Sequence, residues 1–275
     1  MESRTTRIAL GVWVVLVLVF LYLPIGIICL YAFNSSNVQS WPIPGFSTKW
    51  FSAAWHDDEV RTAIGLSLRA ALAATGIALV LGSLAAFGLN RFAFFGQNAI
   101  SFMFVLPIAL PGIITGMALN SFFVFWNLDL SLWTIVIGHS TFCVVVVYNN
   151  VLARLRRTSG SFFEASADLG ANGFQTFLYV TLPTVSTAIL AGALLAFALS
   201  FDEVVVTFFT AGAQNTLPLL IYGFIRQGQN LPIVNAIALV VILVTAVPVY
   251  IAQRLTSDIG GVTRSAVAVT EATEP

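Results

Sequence analysis

Long apolar runs alternate along the chain with short polar joints. A helix needs about 20 residues to cross a hydrocarbon layer, and six runs reach that length: residues 8–33, 62–89, 99–126, 132–153, 185–209 and 233–254. None alternates with period two, which excludes barrel strands. The pattern predicts an all-α polytopic membrane protein with six transmembrane helices. The joints divide it into residues 1–61 (a short N-terminus, the first span and an external segment), residues 62–255 (a core of five spans with a long loop at 154–184), and residues 256–275, a small polar tail expected to be disordered. No internal repeat is evident.

The joints carry chemistry of their own. "NSSNVQSWPIPGFS" has turn composition. "TKWFSAAWHDDEV" predicts a short amphipathic helix with Trp50, Ala53 and Ala54 on one face. Asp57, Asp58 and Glu59 suit the first turn of the next span, where the helix dipole favours negative charge. The first run follows Arg4 and Arg7 and exceeds the roughly 7–15 residues of a cleaved signal core, so it reads as a retained anchor. Arg4, Arg7, Arg91, Arg154, Arg156, Arg157, Arg254 and Arg264 fall on one side of a six-span topology, and Lys49 and Arg226 on the other. That bias puts both termini in the cytoplasm. Arg69, within the second span, reads as snorkelling toward the outer surface.

Composition narrows the function. The chain is 58% hydrophobic and 9% charged, with a mean hydropathy of +0.93. Soluble domains carry roughly 25% charged residues, so the surface must face lipid. Zero net charge implies no nucleic-acid partner. Cys29 and Cys143 lie in apolar runs and make neither a disulfide framework nor a CxxC metal site, so no metal is expected. No Gly-x-x-x-x-Gly-Lys-Ser/Thr phosphate loop is present, so the chain cannot use ATP by that means. His139 has neither an HExxH nor a GxSxG pattern around it and reads as a buried or interfacial hydrogen-bonded histidine, which argues against an intramembrane enzyme.

Two spans contain features that an inert anchor does not need. The third reads "LPIALPGIITG", where Pro107 and Pro111 each remove a helix hydrogen bond. Such breaks make either a packing kink or a bend lining a pathway. The fifth carries adjacent carboxylates, Asp202 and Glu203. A charge at membrane depth costs roughly 2.5 kcal/mol or more, so an acid there is by default a functional residue. On a continuous helix neighbours point about 100° apart. Glu203 then shares a face with Ala196 and Gly192, and Asp202 with Ala198 and Leu195. One acid, Asp202 by preference, would meet a pathway while the other bonds a helix neighbour; the alternative makes both interhelical hydrogen-bonding groups.

The loop 154–184 is about thirty residues long, beyond ordinary helix connections. "GSFFEASADLG" reads as a short helix capped by Ser161, with Glu164 completing a capping box and Gly170 ending it. Asn172 caps a second helix with Phe174, Phe177 and Leu178 on one face, and Pro183 breaks it before the fifth span. Two short helices with exposed aromatics form a docking element.

These residues resemble a family motif. Importer permeases of the ATP-binding cassette class carry Glu-Ala-Ala, three residues, Gly, nine residues, an aliphatic, one residue and Leu-Pro. Glu164, Ala165, Ser166, Gly170, Val180, Leu182 and Pro183 stand at those spacings, with Ser166 in place of the second Ala. "LYLPIGIICLYAFN", "LPIALPGIITGMAL" and "SFDEVVVTFFTAGAQNTLPLLIY" are similar to the second (C-type) permease subunit of spermidine/putrescine importers, over roughly residues 10–255. Gly112 departs from that branch, which often has Glu there.

The resemblance implies the type I importer permease fold, with the first span packed on a partner. It implies a non-catalytic subunit that moves a small cationic solute, such as spermidine or putrescine, inward. It also implies a second homologous permease, two ATPase subunits that use ATP and Mg, and an extracytoplasmic solute-binding protein. No cofactor would be bound by this chain. An aminophosphonate, an amino-acid derivative or ferric ion are other solutes for the same architecture, and an ion-driven carrier is a further alternative. In the implied mechanism Glu164, Ala165, Ser166, Gly170, Phe174, Phe177, Leu182 and Pro183 form the ATPase-coupling loop. Asp202, Glu203, Pro107 and Pro111 belong to the substrate pathway.

Overall fold

Small residues set how these helices meet. The computed structural model describes residues 4–92, 95–247 and 250–251. Among them all regular structure is helical, apart from one isolated bridge between Asn34 and Phe46. They form two compact units: the described residues through Thr62 with Leu220–Val244, and Ala63–Leu219 with the described residues from Thr245.

In the first unit, α1 (Arg4–Ala32) leaves its apolar side chains exposed from Ile8 to Leu23. The polar turn after it is built on Asn34, whose side chain accepts from the Ser36 N–H at 3.0 Å and donates to the Val38 carbonyl at 3.1 Å. Ser35 N–H to the Gly45 carbonyl and Ser47 N–H to the Phe33 carbonyl close the loop. The expected amphipathic helix is α2 (Lys49–His56). Trp50 Nε1 donates to the Asn34 carbonyl at 2.6 Å, Ala54 is buried, and Phe51 lies 5.1 Å from Phe33. Ala53 is exposed; Phe51 takes the inward place assigned to it. Asp57 caps α3 (Asp58–Arg91), its Oδ1 accepting from the Glu59 and Val60 N–H groups.

Along α3 the inward stripe is Ala70, Ala74, Ala78, Gly82 and Ala86, while Leu72, Val80, Leu81 and Leu84 point outward. This inversion of a soluble helix is what lipid-facing packing requires: bulk meets solvent-like chains, and small residues let backbones approach. Arg69 turns its guanidinium back to the Gly65 carbonyl, toward the N-terminal end of α3.

The third span is not one helix. α4 (Gln97–Ala109) and α5 (Gly112–Phe125) meet at 101°. Pro111 forces the preceding Leu110 into extended backbone (φ −79°, ψ 139°), which ends α4. Pro107 stays within α4. α6 (Leu132–Arg157) is buried over most of its length and is the post of the second unit. A Cβ added to Gly82 would stand 2.8 Å from the Val144 carbonyl on one side of α6, and one added to Gly192 would stand 3.3 Å from Val147 Cα.

After the loop comes α7 (Ser161–Asp168), then α8 (Gly173–Thr176), a π-helical turn (Phe177–Thr181) and α9 (Leu182–Phe201). The fifth span, expected unbroken over 185–209, stops at Phe201 and resumes as α10 (Val205–Thr210). The helical-face partners inferred for Asp202 and Glu203 therefore do not hold, because neither acid is inside a helix. α10 lies on α5 and α6: Asn120 donates to the Phe209 carbonyl at 2.7 Å, and Thr134 to the Thr210 carbonyl at 2.7 Å. Unforeseen from the pattern is α11 (Leu217–Gln227), whose Leu217 N–H donates to Ser67 Oγ at 2.8 Å. α12 (Leu231–Val247) begins the sixth span. Residues 252–254 of that span, Arg264 and the tail 256–275 lie outside the described residues.

The contact at Gly82 is backbone to backbone and cannot yield by rotating a side chain. Gly82→Ala is expected to destabilise the full-length permease by roughly 1–3 kcal/mol. Gly76→Ala, on the same helix with nothing within 4 Å of the new methyl, is expected to leave stability unchanged or slightly raised. Thermal unfolding of the purified variants in detergent checks this, and equal melting temperatures would contradict it.

Candidate functional site

The loop after α6 folds into a helical pair held by local chemistry. Gly160, not Ser161, is the N-cap of α7, with no side-chain cap bond; Ser161 is the first helical residue, its N–H donating to Ser159 Oγ at 3.3 Å. That shift puts Glu164 at the fourth helical position, beyond the reach a capping box requires. Its carboxylate is exposed and makes no bond among the described residues. Gly170 has φ +78°, the left-handed conformation that favours glycine. Gly170 N–H bonds the Ala167 carbonyl and Ala171 N–H the Ser166 carbonyl, the paired bonds of a Schellman ending. Asn172 caps α8 as expected: Asn172 Oδ1 accepts from the Gln175 N–H at 2.9 Å, and Gln175 Oε1 from the Asn172 N–H at 2.8 Å. Ser166 adds a bond that alanine there could not make, Oγ to Thr176 Oγ1 at 2.9 Å, buried between α7 and α8.

Pro183 does not break the chain before the fifth span. The helix continues from Gly173 to Phe201 because the π-helical turn absorbs the missing bond, with Leu182 N–H reaching back five residues to the Phe177 carbonyl. Leu182 is half-buried and Pro183 exposed at the start of α9. Phe177 is not an exposed knob: it is half-buried, edge-on to Phe87 of α3 at 5.1 Å. Phe174 is exposed, and so are Phe162 and Leu169, which the sequence reading did not single out. Ala165 is exposed beside Glu164. Beneath the loop a cavity of about 300 Å³ is lined by Phe87, Asn90, Arg91, Leu155, Phe163, Phe177 and Thr181.

Near the other end of the second unit, two broken spans meet. Gly112, just past Pro111, lies against Val205, just past the break after Asp202; a Cβ there would be 3.4 Å from Val205 Cγ1. Glu203 turns its carboxylate onto its own chain, Oε1 accepting from the Val206 N–H at 2.9 Å, and so caps α10. Asp202 is exposed and makes no side-chain bond among the described residues. Pro111 thus belongs with the two acids. Pro107 instead lines an apolar groove of about 520 Å³ with Leu81, Met103 and Ile137 among others. His139, fully buried, has Nδ1 2.7 Å from Ser200 Oγ and Nε2 2.8 Å from Thr207 Oγ1. It is a buried histidine with both ring nitrogens bonded, the first of the two settings its sequence surroundings allowed.

Comparisons with known proteins agree with this architecture. A family model described as "Binding-protein-dependent transport system inner membrane component" matches residues 78–259. The Escherichia coli putrescine transport system permease protein PotI is 39% identical over 86% of this chain and 86% of its own. The E. coli spermidine/putrescine transport system permease protein PotC is 34% identical over 92% and 95% respectively. In fold, the chain is similar to a bacterial ABC transporter involved in importing the acidic polysaccharide alginate (TM-score 0.69, 18% identity, covering 92% of this chain and 98% of that one). It is also similar to the MetNI methionine ABC transporter (TM-score 0.57, 16% identity, 74% and 99%). With the helical fold, the broken third span and the loop motif in place, the chain belongs to the family of binding-protein-dependent transport system inner membrane components.

Proposed function

We propose that this chain is the permease subunit of a polyamine importer, moving putrescine or spermidine inward with energy from ATP hydrolysed by partner subunits. The relatives named above support the substrate class. The mechanism rests on one observation: an uninterrupted helical lever, Gly173–Phe201, joins the loop to the residue before Asp202. Two ATPase subunits, using ATP and Mg, dock on this loop and on its counterpart in a second, homologous permease. An extracytoplasmic binding protein delivers solute at the opposite face, where the two broken spans meet. Both termini and the basic end face the cytoplasm. The exposed apolar face of α1 packs against the partner permease and lipid.

Each group has a distinct task. Phe174, Phe162 and Leu169 fill a groove on the ATPase, and the unpartnered Glu164 meets a basic group there. Ser166 and Thr176 keep the two short helices moving as one body. ATPase closure shifts α8, and the π-helical turn passes the shift into α9. At the far end Asp202 offers a free carboxylate to a substrate ammonium, while Glu203 holds α10 in place. Gly112 adds no further acid. An aminophosphonate, an amino-acid derivative and ferric ion are therefore the competing solutes to include in uptake assays.

Each task has its own signature in the whole transporter, in cells, in proteoliposomes or after purification. Glu164→Ala or Gly170→Asp abolishes uptake while the subunit stays in the membrane; a full transport rate in either variant would sink the coupling role. Phe174→Ala weakens ATPase docking at unchanged permease stability. Phe177→Ala instead lowers stability by about 1 kcal/mol or more through loss of the Phe87 contact, which thermal unfolding separates from co-purification of the ATPase. Asp202→Asn raises the KM for polyamine uptake about tenfold, the worth of one charge-assisted bond. Glu203→Gln, which can still accept from Val206, changes it less; unchanged uptake in both variants would remove the acids from the pathway.

A further inference from the structure

His139 joins the two sides of the break in the fifth span. Ser200 lies in the last turn of α9 and Thr207 in the first turn of α10, and the break between the two helices is Asp202, Glu203 and Val204. One imidazole reaches both hydroxyls, at 2.7 and 2.8 Å. Donor counting orients the network. The single proton of Thr207 Oγ1 goes to the Glu203 carbonyl at 2.8 Å. Thr207 must therefore accept from His139, so Nε2 carries the ring proton. Nδ1 is then an acceptor, and the Ser200 hydroxyl donates to it. A helical serine otherwise bonds the carbonyl four residues back. Here that carbonyl, Ala196, also receives Cys143 Sγ at 3.4 Å.

We propose that His139 is a positioning residue for transport: by clamping Ser200 and Thr207 it fixes the length and direction of the break, and so sets where the Asp202 carboxylate stands. Asp202 has no side-chain bond of its own among the described residues, so its place is set by the backbone on either side. That backbone is held by His139, by Thr207 on the Glu203 carbonyl, and by Glu203 on the Val206 N–H. The imidazole is hydrogen-bonded to Ser200 and Thr207 and to neither carboxylate, so its effect on substrate is transmitted through the two helix ends. The effect on transport rests on the reading of Asp202 as the substrate's carboxylate; the effect on Asp202 position does not.

The test separates the two. Asp202→Cys is placed in the full-length chain with Cys29→Ser, in membranes containing its partner subunits, and its labelling by a membrane-impermeant maleimide is timed. His139→Phe keeps an aromatic ring but loses both nitrogens, and is expected to change the labelling rate about tenfold. His139→Gln, whose amide can still donate to Thr207, recovers part of the change. Thr207→Val and Ser200→Ala, each removing one arm, give smaller changes. Labelling indistinguishable from the parent in His139→Phe overturns the proposal. Should that variant not assemble, parental labelling in both Thr207→Val and Ser200→Ala overturns it. With Asp202 intact, His139→Phe raises the uptake KM more than it lowers the maximal rate, and adds no further rise in an Asp202→Asn background. If labelling follows His139 but Asp202→Asn leaves uptake unchanged, the substrate reading of Asp202 falls and the positioning role stands.

Discussion

The second unit depends on how closely α6 can be approached. Gly82 from α3 and Gly192 from α9 both press on the backbone around Val147, and no side chain larger than hydrogen fits at Gly82 without moving a backbone. In lipid, helices gain little by hiding apolar surface from one another; close packing and a few polar bonds must hold them. The α6–α9 pair shows both. Arg154 bonds the Thr184 carbonyl, Val147 meets Gly192, Cys143 bonds the Ala196 carbonyl and His139 bonds Ser200. Going down α6 through these contacts goes up α9 by nearly the same number of residues each time, as an antiparallel pair packed along its length does. The two helices are therefore tied along their length, from the basic end to the level of the broken spans.

That tie suits the coupling proposed for the loop. A displacement applied at α8 would enter α9 through the π-helical turn, and α6 holds α9 at four levels. Such a motion would be delivered near Asp202 instead of being dissipated in a flexible joint. The loop is stiff for its own reasons: the Schellman ending at Gly170, the reciprocal caps of Asn172 and Gln175, and the buried Ser166–Thr176 bond.

Breaking a span frees backbone groups that lipid cannot satisfy, and the chain supplies partners at both breaks. At the first, the Pro111 carbonyl accepts from Ile114 and Thr115. At the second, Glu203 caps Val206 and Thr207 bonds the Glu203 carbonyl. Irregular backbone at membrane depth is tolerated where protein or a water-filled path covers it. The meeting of Gly112 with Val205 puts both irregular stretches in one place.

The local pattern by itself determined the apolar runs, their helical state, the proline break in the third span, the Asn172 cap, the left-handed turn at Gly170 and the spacing of the docking motif. All of these are set by residues within a turn or two of one another. What it misjudged depended on distant partners. The run 194–210 is apolar enough to be one helix, and only His139, sixty-odd positions away in sequence, reveals that it is held open at Asp202. Phe177 looks like its neighbour Phe174 until Phe87 covers it. Pro183 looks like a stop until the helix before it widens by one residue per turn. Periodicity records which faces are greasy, but which backbone is bent, and which acid is left free, is decided by side chains that meet only in the folded chain.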